Sequence, residues 1–391
     1  MDLLSAKRKA SAVSFAFATL LAAAYSNGFL AHAAQGDPAK QQALYREKLA
    51  EYANARAAYE EVAGPYWKSI TEKRSRRRAR HSFQNIAASD YILKQPPTYS
   101  GPPKPQSPEG SISAEKAVPV VADFLREAKA QFNFSPDRPA TENDYKRAYV
   151  AAARAAGLTA EQCIRIYAFE SGGNGAYDVQ AGLEYDVPGA RAITTALGYN
   201  QLLGTNSVEL LAEAGDEFLA ALRRKADAAQ GARREALINK IDILKKMIAF
   251  SRTVPDRWND HARLADTLKG LGIHALNLDV DVGPLLQVRK LLTSVEFAKR
   301  HDLNAPLSAA ELEMMNLTGD GSGFEMVVMS KDLRDKIPTS NFFQRGGYER
   351  NPVASVNNTV AKLIAATNAK MDTEVQLQGA KTLAALFEEF Q

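Results

Sequence analysis

The sequence holds one cysteine, Cys163, so an intrachain disulfide, a CxxC redox pair and a cysteine metal cluster are excluded. Histidine is scarce as well. None of His81, His261, His274 and His301 pairs at the three- or four-residue spacing that sets two imidazoles on one helix face, which argues against a metal site. Gly-x-Ser-x-Gly, the commonest serine-hydrolase elbow, is missing. After residue 33 no apolar run approaches the ~18 residues of a membrane span. Charge of one sign is missing too. Lys and Arg number 49 against 45 Asp and Glu, and +4 is too little to argue for a nucleic-acid partner. Hydrophobic residues at 46% and charged residues at 24% exclude wholesale disorder and leave enough chain for a large core.

What is present begins with an address. Lys7, Arg8 and Lys9 precede an uncharged stretch from Ala10 to Tyr25, and Ala31-His32-Ala33 follows. Basic, apolar and small-residue regions in that order predict a secretory signal peptide over 1–33. The mature chain is therefore expected to be periplasmic or secreted, with no stable membrane span after cleavage. Export disfavours nucleic-acid, nucleotide and cytosolic-cofactor roles, and no cofactor is expected.

Residues 34–94 read as a helical extension, helical from 38 to about 72. Lys73, Arg74, Arg76, Arg77, Arg78 and Arg80 form a basic cluster behind it. A solvated helix face or end is the simpler reading, and contact with an anionic polymer or lipid headgroups the sharper one. Pro96, Pro97, Pro102, Pro103, Pro105 and Pro108 forbid helix and sheet interior. They predict an extended linker over 95–112, ahead of a main domain at 113–391. In that domain nearly every segment shows apolar 3–4 spacing, so the fold class is mainly α. Phe324 to Met329 reads as the clearest strand. The Gly-rich stretch 316–323 before it reads as a turn or as cleft lining.

Thr159-Ala160-Glu161-Gln162 fits a capping box, opening a helix that runs to Glu170. Asn206-Ser207-Val208-Glu209 fits a looser one. Cys163, Ile166, Tyr167 and Glu170 fall on one stripe of the first helix, with Cys163 read as a small buried hydrophobe. The apolar stripe thus ends in a carboxylate. Ser171-Gly172-Gly173-Asn174-Gly175 then stops the helix. The negative end of the helix and apolar neighbours both disfavour an anion, so the Glu170 pKa is expected to be raised. A carboxylic acid kept protonated is what a general acid needs to protonate a glycosidic oxygen. From periodicity alone, rotation to solvent or pairing with a base is the alternative.

Glu170-Ser171 and Gly198-Tyr199-Asn200-Gln201 together resemble the motifs of the lysozyme-like lytic transglycosylase family, in which Glu-Ser at a helix end is followed by Gly-Leu-Met-Gln. The resemblance runs from Thr159 to Leu203. It implies a mainly α, lysozyme-like domain that cleaves the MurNAc–GlcNAc bond of peptidoglycan glycan strands. It implies Glu170 as the acid/base, oriented by Ser171. It also implies that Gly198 lets the sugar chain approach and that Tyr199, Asn200 and Gln201 touch it. The motif spacing is longer than the family's, which places an insertion between Gly173 and Arg191. The family's third motif, Ala-Tyr-Asn, has its nearest substitute around Tyr348.

A retaining glycosidase needs a second carboxylate about 5 Å from the first, and an inverting one needs it about 6.5–9.5 Å away. Asp178, Glu184, Asp186 and Asp320 are the candidates. With none near, Glu170 would protonate the leaving oxygen and then act as base toward the sugar's own 6-hydroxyl. That gives a 1,6-anhydro product, the route the resemblance implies. Two readings compete with the enzyme. One is a non-catalytic peptidoglycan-binding module. The other is an envelope scaffold whose residues 38–90 recruit a protein partner.

Overall fold

The computed structural model describes residues 37–80, 82–107, 117–183 and 192–389. The expected signal peptide, Glu184 and Asp186 lie outside the described residues. Those described are mainly helical, with isolated β-bridges and no strand. None of their helices is long and apolar enough to cross a membrane, and no group of their acidic, His or Cys side chains is placed to hold a metal ion.

The first helix of the described residues is long, α1 (Pro38–Arg80). Then follow α2 (Val121–Phe132), α3 (Glu142–Ala155), α4 (Ala160–Ser171), α5 (Gly204–Ala228) and α6 (Gly231–Ser251). Two short helices come next, α7 (Trp258–Ala265) and α8 (Leu268–His274), the second capped by the Thr267 hydroxyl. Next come α9 (Gly283–Arg300), α10 (Ala309–Thr318) and α11 (Asp320–Val328). The strand expected at 324–329 is α11. Gly319 at φ +81° ends α10 and restarts the chain at once. Gly323 then brings α11 against the α10 backbone, where a Cβ would stand 2.5 Å from the Met314 carbonyl. A short apolar run buried on all sides has no period to distinguish helix from strand. The chain closes with α12 (Lys331–Lys336), α13 (Arg345–Glu349), α14 (Pro352–Val356), α15 (Val360–Glu374) and α16 (Gln378–Glu389).

The chain divides into two compact units, and the boundaries differ from those expected. The first unit takes Pro119–Leu292 and Met371–Gln391. Among the described residues the second takes 37–80, 82–107, 117–118 and 293–370. The domain expected at 113–391 is therefore split, and α1 is no appendage. Its Ala63, Trp67 and Ile70 lie in one buried cluster with Met314, Met326, Phe342 and Leu363.

In the second unit the described part of the Pro-rich segment is packed against α1, not an open linker, and Pro108 lies outside the described residues. Tyr45, Tyr52, Tyr59 and Tyr66 recur every seven residues along that helix. Tyr66 Oη donates to the Lys94 carbonyl (3.1 Å) and Tyr59 Oη to the Pro97 carbonyl (3.2 Å). The Tyr99 ring meets Tyr59 and Tyr52 edge-on, at 5.5 and 6.2 Å. Seven helical residues rise about 10.5 Å. Three residues of polyproline helix span about 9.3 Å. The two repeats therefore run nearly in step.

The basic cluster is not a uniform solvated face. Arg77 is buried, and its Nε donates to Glu325 Oε2 (2.8 Å). Its other nitrogens donate to the carbonyls of Asp90 (3.1 Å) and Asn341 (2.9 Å), and its guanidinium lies over the Tyr91 ring. Arg80 pairs with Asp90 at 2.9 Å. Lys73 donates to the Ser89 carbonyl.

In the first unit α5 packs along α6, and α2 crosses α8 where Gly272 seats on the backbone of Glu127 and Ala128. A second core element is aromatic. Tyr145, Tyr149 and Tyr167 each meet the Tyr199 ring edge-on, at 5.2, 5.3 and 4.8 Å. Such pairs contribute roughly 0.5–1.5 kcal/mol each beyond burial.

Candidate functional site

Local sequence builds the first half of the site. Thr159 Oγ1 accepts from the Gln162 amide (3.1 Å) and Gln162 Oε1 from the Thr159 amide (3.0 Å), the reciprocal cap that starts α4. Gly172 (φ +63°) and Gly173 (φ +67°) end it in the left-handed region that glycine favours. Glu170 sits half-buried in the last turn. Cys163 is buried, and desolvation pushes its thiol up to about 12, which removes it as a nucleophile.

Long-range contacts build the second half. Residues 179–181 run antiparallel to 193–198. Gly198 N donates to the Val179 carbonyl (2.9 Å), Ala181 N to Ala196 (3.1 Å) and Ile193 N to Ala181 (2.9 Å). The turn 197–202 closes on itself through paired bonds between Leu197 and Leu202, both 3.0 Å. Tyr167, one turn before Glu170, packs on Tyr199 of that turn. Residues far apart in sequence are thus gathered into one neighbourhood.

The C-terminal helix completes it. Gly379 N donates to Asn174 Oδ1 (2.8 Å), and Ala380 N donates to the Gly173 carbonyl (2.8 Å). Lys146 of α3 donates from Nζ to the Gly379 carbonyl (2.8 Å). A Cβ at Gly379 would stand 2.5 Å from the Gly173 carbonyl oxygen, so α16 grips the turn behind Glu170 backbone to backbone.

The motif residues do not share one role. Ser171 is 0% exposed and donates its hydroxyl to the Tyr167 carbonyl (2.6 Å), so it does not orient Glu170 through that group. Tyr199 and Asn200 are 0% and 1% exposed. Tyr199 Oη donates to Glu142 Oε1, while Asn200 Nδ2 donates to the Gln287 carbonyl (2.8 Å). Tyr199 and Asn200, expected as saccharide contacts, and Ser171, expected to orient Glu170, are scaffold, because side chains so enclosed reach no polymer. Gly198 has φ +82°, and the neighbour it admits is Gln287, not open space for a sugar. Gln201 stays half-buried at φ +45°, its Nε2 donating to the Gly198 (2.8 Å) and Val179 (3.2 Å) carbonyls. Tyr348 belongs to the second unit, buried against Trp67 and Phe343.

Among the carboxylates weighed as a second catalytic group, Asp178 is paired with Arg138. Asp320 lies in the second unit and accepts from Ser294 Oγ (2.5 Å). Sequence reasoning missed Glu142, the first residue of α3. It accepts from Tyr199 Oη and the Tyr177 amide (3.2 Å), and burial raises its pKa. It also missed Glu209, half-buried on α5, which desolvation raises to about 7 against the opposing charge of Lys290. Asn206 does not cap α5 as expected. It is the third residue of that helix, and its Oδ1 accepts from the Leu203 amide (3.1 Å). No spacing signal marks either carboxyl, since distant elements remove their water.

A buried polar chain supports the turn from behind. His274 Nε2 donates to the Thr195 carbonyl (2.8 Å), which leaves Nδ1 to accept from Ser207 Oγ (2.8 Å). Full burial lowers His274 to about 4. The unfolded chain takes up this proton near pH 6.5, so between about pH 6.5 and 4 it binds more protons than the folded one. The His274 contribution is full above pH 6.5 and is lost as pH falls toward 4, by roughly 3 kcal/mol. Urea denaturation at pH 7 and pH 4 should show wild type losing that much relative to His274→Gln. Parallel curves for the two proteins would refute it.

No known family, curated protein or solved structure matches the chain.

Proposed function

We propose that the protein is a lysozyme-like lytic transglycosylase of the cell envelope that cleaves the MurNAc–GlcNAc bond of peptidoglycan, with Glu170 as its acid/base. One observation carries the reading. The helix that carries the first motif meets the second motif through Tyr167 on Tyr199, and Glu170 and Gln201 stay half-buried, not enclosed.

In this mechanism Glu170 protonates the glycosidic oxygen as the bond to the anomeric carbon breaks. The resulting carboxylate takes the proton of the sugar's 6-hydroxyl as that oxygen attacks the same carbon. One C–O bond breaks, one forms, and Glu170 ends protonated, so no water is consumed. Gln201, its Nε2 already engaged, offers its Oε1 to a sugar hydroxyl.

Holding glycan without cleaving it is the second reading. The burial of Tyr199 and Asn200 favours it, since two of the residues that would grip a substrate face inward. Incubation of the protein with purified sacculi separates the two. Anhydro-muropeptides in the supernatant are the expected result. Products with reducing ends would show a hydrolase, and sedimentation with sacculi without products would show a binding module.

A further inference from the structure

The turn 197–202 holds an uncommon conformation, with Gly198 at φ +82° and Gln201, a non-glycine, at φ +45°. Backbone of this kind persists where surrounding groups over-determine it. The group that does so here is Gln287, on α9 and fully buried. Its Nε2 donates to the Leu197 carbonyl (3.1 Å) and to Asn277 Oδ1 (2.9 Å). Its Oε1 accepts from the Asn200 amide (2.8 Å), and its backbone carbonyl accepts from Asn200 Nδ2 (2.8 Å). One planar side-chain amide therefore bonds a carbonyl and an amide on either side of Gly198 and Tyr199, the bonds a neighbouring strand would supply. Gly198 is the counterpart of this arrangement, since a Cβ there would stand 2.5 Å from Gln287 Nε2.

The hold extends backwards. Asn277 Nδ2 donates to Ser207 Oγ (2.9 Å) and to the His274 carbonyl (3.0 Å). That ties the turn to α5, α8 and α9 at once. Both polar atoms of the Gln287 side chain are matched inside the protein and the side chain is fully buried, so it does not reach a substrate.

We infer that Gln287 is a positioning residue of the proposed active site, setting the shape of the 197–202 turn and thereby the place from which Gln201 meets the glycan. The inference rests on the proposed function for its substrate, and on the hydrogen bonds alone for the hold on the turn. Gln287→Met keeps the volume and removes the side-chain amide. Leu237→Ala, a buried truncation on α6, controls for loss of stability alone. Two readouts apply, at a temperature where all three proteins are folded. One is kcat and KM on soluble glycan strands. The other is amide hydrogen exchange at 197–202.

Gln287→Met is expected to lower kcat/KM at least tenfold, mainly through KM, and to speed exchange at 197–202. Leu237→Ala should leave kcat and KM unchanged. Equal kinetics in wild type and folded Gln287→Met overturn the inference while leaving the proposed function standing. If the wild type cleaves no glycan, the proposed function fails, and exchange alone decides. Faster exchange confined to the turn then upholds the hold, and unchanged exchange overturns it.

Discussion

Glu170→Gln is expected to abolish muropeptide release from sacculi while leaving the melting curve unchanged. Proton transfer by one positioned group is worth about 10²–10⁴-fold. In the proposed route the same carboxyl acts twice, as acid toward the leaving oxygen and as base toward the 6-hydroxyl, so both steps fail together. The expected loss is therefore at least about 10³-fold, at the upper part of that range. The fold should tolerate the change because the amide has the shape of the carboxyl and the position is half-buried, not enclosed. Chromatography of the soluble products and circular dichroism melts read the two quantities. Undiminished release by a folded Glu170→Gln protein would remove Glu170 from the mechanism. The same change at Glu142, whose carboxyl is engaged by Tyr199 and Tyr177, tests a different proposition and is not a substitute.

Arg77→Ala is expected to destabilise the second unit by about 3–5 kcal/mol, the cost of leaving a buried charge without its partner. Glu325 is held by Arg77 at 2.8 Å with both side chains nearly excluded from water. Burial already raises the Glu325 pKa, and Arg77 is the main force opposing it. Without the guanidinium that pKa rises further. A glutamate with a raised folded pKa binds more protons folded than unfolded, so its penalty shrinks as pH falls through that pKa. The Arg77→Ala deficit should accordingly narrow toward acid pH. Arg77→Met with Glu325→Leu should restore most of the loss, because a buried pair replaced by apolar groups is often neutral. Denaturation curves at pH 8 and pH 5 check both statements. A deficit below about 1 kcal/mol, the range of surface pairs, would mean that the pair is solvated.

Arg77 also shows why part of the chain was illegible. Six basic residues in eight positions look alike in sequence, and helical spacing does not say which one meets an acid. Arg80 meets the nearby Asp90, while the buried Arg77 finds Glu325 across 248 residues. The Pro-rich stretch is neither helix nor sheet over its described residues 95–107, as its prolines imply, yet it is not the open linker expected. The tyrosines of α1 supply outside partners at a matching repeat. Phe324 to Met329 misled for a different reason. Both of its faces are covered, so the alternation that separates strand from helix is absent.

The site was legible in its local half. The Thr159–Gln162 cap and the glycine stop after Ser171 act within a turn of helix, so neighbouring residues decide them. From these the sequence by itself determined a mainly α chain and a glutamate at the end of a partly apolar helix. Tertiary structure alone decided which motif residues face inward, since burial of Tyr199 and Asn200 comes from α3 and α9. It alone decided that Glu142 and Glu209 lose water, and that the last helix grips the turn behind Glu170. Hydrogen bonds within a turn depend on residues three or four places away. Desolvation and long-range pairing depend on every element that closes over a group, and no local pattern encodes that enclosure.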